Sequence, residues 1–206
     1  MVDIAIVIAE SLAGKRVAIT GSTGFVGTAL VERLLRCVPD CELILLVRDG
    51  RRTPAPRRVE KELLKNDAFD RLREMHDAPG ATETFAEMTA RRIHTVAGDV
   101  STDGLGLSDE HRAVWVTAEV IIHSAATVSF DSPLDRAVEI NLLGPTRIAR
   151  LCQELGVTPH LVAVSTCYVA GNRRGNAPEE LVSEGPFDIG LSWQDEVGAA
   201  RRLKGD

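Results

Sequence analysis

The stretch Val17-Ala18-Ile19-Thr20-Gly21-Ser22-Thr23-Gly24-Phe25-Val26-Gly27 decides the fold. It opens as a short apolar run and passes through a glycine-rich turn. It then enters Phe25–Arg36, where Val26, Leu30 and Leu34 recur at the spacing of an amphipathic helix. Strand, tight turn and helix in that order leave N–H groups at the helix start without intrahelical partners, and the helix dipole adds positive charge there. Both favour an anion, so the segment predicts a phosphate cradle. Gly21 is expected to make the turn, Gly24 to let the backbone approach a pyrophosphate, and Gly27 to let the helix pack close to the strand. Thr20, Ser22, Thr23, Phe25 and Val26 complete the loop. The spacing is G-x-x-G-x-x-G and not the commoner G-x-G-x-x-G; a purely structural turn is the alternative reading.

Working outward, further short apolar runs follow Arg16–Thr20: Leu43–Val47, Ile93–Ala97, Val120–His123 and Leu161–Ser165. They are rich in Val, Ile and Leu without strict alternation, as in strands covered on both faces. Pro133–Leu155 repeats apolar residues at helical spacing through Ala137, Ile140 and Leu143. Strand and helix in alternation predict an α/β fold, a Rossmann-like doubly wound parallel sheet. Residues 49–92 break the rhythm and read as a helical insertion after the second strand. Its pieces Val59–Lys65 and Ala68–Met75 are separated by Asn66–Asp67, and the turn signal Ala78–Gly80 follows. After Gly171 the strand rhythm stops, leaving 172–206 as an irregular tail with one helix candidate, Gln194–Lys204. A doubly wound dinucleotide fold commonly has about six strands. Five are legible, so residues 1–206 read as one domain whose C-terminal part is missing.

Composition narrows the partners. Among 206 residues, 24 Lys+Arg stand against 30 Asp+Glu, for a net charge of −6, and 4% are aromatic. That argues against a nucleic-acid partner by charge and by stacking capacity. Between Arg48 and Arg73, however, nine cations face five acids, a local balance of +4. The cluster reads either as a solvated helical face or as a set of phosphate ligands. Cys37, Cys41, Cys152 and Cys167 show no metal-ligand spacing, so no metal site is expected and the setting reads as cytoplasmic. The apolar run Ile4–Ala9 is too short to span a membrane, so no integral membrane segment is expected. Nothing in the sequence sets an oligomeric state.

Ligands of open α/β sheets bind beyond the carboxyl ends of the strands. At the end of the second strand stands Arg48, with Arg51 and Arg52 close behind. A guanidinium there suits the 2′-phosphate of NADP, where an acid would suit the free ribose of NAD. NADP is the favoured cofactor, and Asp49 keeps NAD open. Asp99 and Val100 follow the third strand, with Asp99 either bonding the adenine amino group or closing a turn. Ser124, Ala125 and Ala126 follow the fourth, small enough for the backbone to pass close to a cofactor or simply to pack.

Together these residues resemble the extended short-chain dehydrogenase/reductase superfamily, and within it the fatty acyl-CoA reductases and thioester reductase domains. The likeness runs over about residues 14 to 175. Thr20–Gly27 matches but is shared with sugar-nucleotide epimerases; the specific pieces are the long insertion, Ala125-Ala126-Thr127-Val128-Ser129-Phe130 and Ser165-Thr166-Cys167-Tyr168-Val169-Ala170-Gly171. The resemblance implies an NADPH-dependent reductase whose substrate is a long-chain acyl-CoA or acyl-carrier thioester, reduced to aldehyde and, in alcohol-forming members, onward to alcohol. It places the carbonyl-polarising hydroxyl on Thr166, with Ser165 beside it, and a relay-supporting amide on Asn141.

The sequence departs from the superfamily at its usual proton donor, the tyrosine of a Tyr-x-x-x-Lys pair. The sole tyrosine is Tyr168, and four residues on stands Asn172. The chain is therefore expected to be the cofactor-binding part of a longer reductase, inactive by itself. A non-catalytic dinucleotide sensor and a sugar-nucleotide epimerase or dehydratase fragment are the alternatives.

Overall fold

The computed structural model describes residues 4–129, 131–169, 171, 174–185 and 188–203. Helix α1 (Ile4–Leu12) precedes the central strand β1 (Arg16–Thr20), and the glycine loop then leads into α2 (Phe25–Cys37). Strands β2 (Glu42–Val47), β3 (Ile93–Ala97), β4 (Val120–His123) and β5 (His160–Ala163) complete one sheet, parallel throughout, in the order β3-β2-β1-β4-β5. The order reverses between β1 and β4, and the crevice of a doubly wound sheet opens at such a reversal.

The unalternating apolar runs have a direct cause. Val17, Ile19, Leu43 and Leu45 pack with α2 and the insertion on one face, while Ala18, Ile44 and Leu46 pack with Trp115 and Ile148 on the other. Both faces of β1 and β2 are thus dry. The fifth strand differs: it ends at Ala163, short of the expected Ser165, and Leu161 and Val162 stay 38% and 40% exposed.

The insertion is helical. It contains α3 (Ala55–Arg58), which continues as a π-helical stretch over Val59–Leu64, then α4 (Asp70–His76) and α5 (Phe85–Arg92). Val59, Leu63, Phe69, Leu72 and Met88 are buried against the α2 face of the sheet. A capping box between Thr84 and Glu87 starts α5, and Arg92 at its end is buried. That guanidinium donates to the carbonyls of Leu34, Leu35, Val38 and Cys41, satisfying the C-terminal end of α2 with a cation where the helix dipole favours one. The insertion therefore clamps the helix that carries the glycine loop.

Beyond β3, α6 (Asp109–Trp115) is capped by Ser108. The predicted helix over 133–155 is α7 (Leu134–Ala137), a π-helical stretch Val138–Leu142 and α8 (Leu143–Glu154). Pro145 accounts for the widening. It has no N–H to give the Asn141 carbonyl, and its ring crowds that carbonyl. The Leu143 N–H reaches back five residues to Val138. In the tail, α9 (Trp193–Arg202) buries Val197 and Ala200, and Arg201 bonds Glu139 at 2.7 Å. Glu139 also pairs with the buried Arg147, which holds Asp103 at 2.7 Å.

Candidate nucleotide site

Gly21 turns the chain at φ +74°, and a Cβ there would lie 2.7 Å from the Ala125 nitrogen. Only glycine fits both the conformation and the approach of the β4 strand end. At Gly27 a Cβ would lie 2.1 Å from the Gly21 oxygen and 2.7 Å from the Ser22 Cα, so what it packs against is the loop's own backbone. Gly24 sits at the start of α2, where no side chain caps the helix. By contrast, Thr84, Ser108 and Ser192 cap α5, α6 and α9. The first turn of α2 thus keeps its N–H groups for an outside acceptor. The Ser22 hydroxyl, 1% exposed, has no partner among the described residues either.

A cleft of about 290 Å³ opens over this loop. Of the residues singled out by sequence, Thr20, Gly21, Ser22, Thr23, Gly24, Arg48, Asp99, Val100, Ser124, Ala125 and Ala126 line it. Phe25, Val26, Gly27 and Arg51 do not. Phe25 projects into solvent, Gly27 is buried behind the loop, and Arg51 is exposed on the chain beyond. The structure adds Arg58, Arg136, Thr127 and Ile140 to the lining. The local excess of cations pointed toward Arg58; nothing in the sequence separated Arg136 from an ordinary helix-surface cation.

The floor is built by hydrogen bonds between β1 and β4. Thr20 Oγ1 accepts from the Ala125 N–H at 3.2 Å and lies 2.7 Å from His123 Nδ1, while Ser124 Oγ donates to the Thr20 carbonyl at 2.8 Å. His123 is 3% exposed, and its burial pushes the imidazole pKa below the ordinary value, keeping the ring neutral. Gly98 is also obligatory, since a Cβ would lie 2.6 Å from the Leu105 oxygen and 2.7 Å from the Leu46 side chain.

Charge at the Arg48 end of the cleft is partly committed. Arg48 Nη1 lies 3.8 Å from Asp99 Oδ2, and Asp99 Oδ1 accepts from the Ser101 N–H and hydroxyl at 2.8 and 2.7 Å, closing a turn. Asp49 Oδ1 accepts from the Ala55 N–H at 2.7 Å and so starts α3. Arg58 donates to the Arg48 carbonyl at 2.7 Å and forks onto Glu62 at 2.8 and 2.7 Å.

The expected catalytic residues stand apart from this cleft. Asn141 spends both ends of its amide on Thr127, accepting from its N–H at 2.8 Å and donating to its carbonyl at 3.0 Å. Ser165 and Thr166 lie beyond β5 and are exposed. Thr166 Oγ1 accepts from the Tyr168 N–H at 3.0 Å, and Tyr168 is 89% exposed. Phe130, Ala170, Asn172 and Lys204, which belong to the sequence motifs and the helix candidate, lie outside the described residues. Among the described residues no three His, Cys, Asp or Glu side chains are grouped to hold a metal, and no helix is long and apolar enough to cross a membrane.

Sheet order, glycine loop and uncapped helix define a Rossmann-like domain of the dinucleotide-binding class. Comparison with known proteins narrows the class. The family described as Male sterility protein, a dinucleotide-binding domain, matches residues 19–204. A putative fatty acyl-CoA reductase of Drosophila melanogaster is 38% identical over 164 residues, 79% of this chain and 30% of that protein. The chloroplastic fatty acyl-CoA reductase 2 of Arabidopsis thaliana is 33% identical over 184 residues, 87% of this chain and 28% of that one. This chain thus spans about a third of the length of these relatives. Among solved structures, the terminal reductase domain of the myxalamid biosynthetic pathway superposes with a TM-score of 0.59 at 26% identity, over 87% of this chain and 46% of that one. The reductase domain of a Mycobacterium tuberculosis non-ribosomal peptide synthetase gives 0.53 at 31% identity, over 82% and 38%. The chain belongs to the male sterility protein family, on the fatty acyl-CoA reductase and thioester reductase branch of the extended short-chain dehydrogenases/reductases.

Proposed function

We propose that this chain is the NADPH-binding part of an acyl-thioester reductase that converts a long-chain acyl-CoA or acyl-carrier thioester to the aldehyde. The observation that carries the reading is the uncapped start of α2 beside the orphaned Ser22 hydroxyl, a set of donors that matches a diphosphate. Arg48 stands at the end of β2 for the 2′-phosphate, assisted by Arg58, while Asp49, the acid that kept NAD open, is turned to the start of α3. Asp99, Val100 and Ile140 flank the adenine; Ser124, Ala125 and Ala126 form the floor. Four unpaired cysteines suit a reducing, cytoplasmic setting.

When bound, NADPH would supply the hydride that adds to the thioester carbonyl carbon, with the C–S bond breaking to release the thiol and leave the aldehyde. As that carbon is reduced its oxygen gains negative charge and needs a placed donor. Thr166 suits this role: its oxygen already accepts from the Tyr168 amide, which leaves the hydroxyl proton free to donate. Ser165 stands beside it. Asn141 is a positioning residue, locking the Thr127 backbone at the cleft edge. A Tyr-x-x-x-Lys pair is absent from these 206 residues, so the chain alone binds the nucleotide but turns over acyl-CoA well below about 1 s⁻¹.

Calorimetric titration with NADPH and NADH tests the reading. Arg48→Ala should weaken NADPH binding at least tenfold and NADH binding far less; equal losses would refute the 2′-phosphate assignment.

A further inference from the structure

At the opposite edge of the sheet from β5, a hollow of about 740 Å³ opens between the α3–π stretch, α5 and the outer edge of β3. Its walls are apolar: Pro56, Val59 and Leu64 on one side, Phe85 and Ala86 on the other, Ile93 at the strand edge. At the mouth stand Lys65, Arg73 and Glu60. Arg73 is committed, donating to the Leu64 and Asn66 carbonyls at 2.6 and 3.2 Å, pairing with Asp70 and lying 5.8 Å from the centre of the Phe85 ring. Lys65 is not. Among the described residues its one pair, with Glu60 at 3.8 Å, joins side chains that are 67% and 57% exposed. Such a pair holds its members weakly, so the ammonium can turn to an incoming anion.

Apolar walls with one available cation at the mouth define the chemistry of the occupant: a flexible hydrocarbon chain ending in a single negative charge. The volume falls within the roughly 300–1,000 Å³ of small-molecule sites. The π-helical wall is a second pointer, since such widened turns concentrate at functional sites. We propose that this hollow binds a long-chain fatty carboxylate, with the alkyl chain along Val59, Phe85 and Ile93 and the carboxylate at Lys65. It stands apart from the nucleotide cleft, with which it shares no lining residue. The α3–π stretch is nonetheless common to both, turning Arg58 to the cleft and Pro56 and Val59 to the hollow.

The test is a fluorescence titration of the 206-residue chain with cis-parinaric acid. Saturable enhancement is expected, reversed by palmitate and unaffected by saturating NADPH, whose own binding is measured separately by calorimetry. Ala90→Trp fills the hollow from an exposed position on α5 and should weaken parinarate at least tenfold without moving the thermal midpoint or the NADPH affinity. Lys65→Glu should weaken palmitate several-fold while leaving hexadecan-1-ol unchanged. The proposal is overturned if parinarate does not saturate, if NADPH displaces it, or if Ala90→Trp binds like the parent. Equal displacement by palmitate and hexadecan-1-ol in the parent would overturn the carboxylate assignment.

Discussion

The two sides of the sheet's carboxyl edge are built differently. At one end, β1 and β2 are dry on both faces, and the glycine loop above them brings backbone to backbone at distances that exclude a single added carbon. At the other end, the segment after β5 lies open: Ser165, Thr166 and Tyr168 are exposed, and β5 itself has residues about two-fifths in solvent. The cofactor end is over-determined by packing, so its geometry precedes any ligand. Among the described residues, the hydroxyl of Thr166 is held by one local hydrogen bond, accepted from the Tyr168 N–H.

Gly27→Val would break the contrast most severely. The new Cβ would sit 2.1 Å from the Gly21 carbonyl oxygen, and both Gly21 and Ser22 are backbone neighbours that cannot swing aside. The loop must open, so NADPH affinity should fall by at least about a hundredfold, or roughly 2.7 kcal/mol. Calorimetry, with far-UV circular dichroism to check that the helices persist, measures it. Parent-like binding would show that the loop does not hold the diphosphate.

A paired truncation sharpens the same difference as stability. Ile44→Ala removes a side chain with no exposure from the centre of the sheet and should cost about 3–4 kcal/mol. Val162→Ala on β5, where the side chain is 40% exposed, should cost less than about 1 kcal/mol. Urea unfolding of both variants is the measurement. Comparable losses would mean that β5 is as firmly packed as the centre.

This asymmetry also explains what could be read from the sequence. The strands β1 to β4 were legible to within a residue; in β1 and β2 the apolar runs are what two covered faces demand, whereas the edge strand β3, Ile-His-Thr-Val-Ala, is only partly buried. The glycine loop was legible because its conformation admits few other residues. Less could be read where side-chain partners decide. Arg92 looks like any helix-terminal cation until α2 is placed against it, and Arg136 joins the cleft only through the fold. The π-helical stretch over Val138–Leu142 had a visible cause in Pro145, but its effect on the turn before it depends on backbone geometry that periodicity does not encode. At Gly27 the tightest approach is to the backbone of Gly21 and Ser22, a detail that spacing alone does not carry.

His123 tests the seam between the two ends by pH. Its pKa is depressed by burial, so below about pH 6.5 the unfolded chain takes up a proton that the folded chain resists. Folding stability should therefore be flat on this account above pH 6.5 and fall as pH drops toward the folded pKa, with a slope of at most about 1.4 kcal/mol per pH unit. Carboxylates held below their ordinary range, such as Glu139 and Glu42, lose their contribution only at lower pH, so the window from 6.5 to 5 isolates the imidazole. His123→Asn, which can keep a bond to Thr20, should flatten that window. An unchanged slope would assign the loss to other groups.

Thr166→Val should give the smallest stability change. The residue is exposed and its hydroxyl's one bond among the described residues, from the Tyr168 N–H, closes a local turn. Removing it should shift unfolding free energy by no more than about 0.5 kcal/mol and leave NADPH affinity unchanged. A hydroxyl that matters to reduction but not to folding is what a donor reserved for a developing oxyanion requires. A loss above about 2 kcal/mol would instead make Thr166 a structural anchor of the strand end. It would then remove the reason for reading the open side of the crevice as the place where the carbonyl oxygen is received.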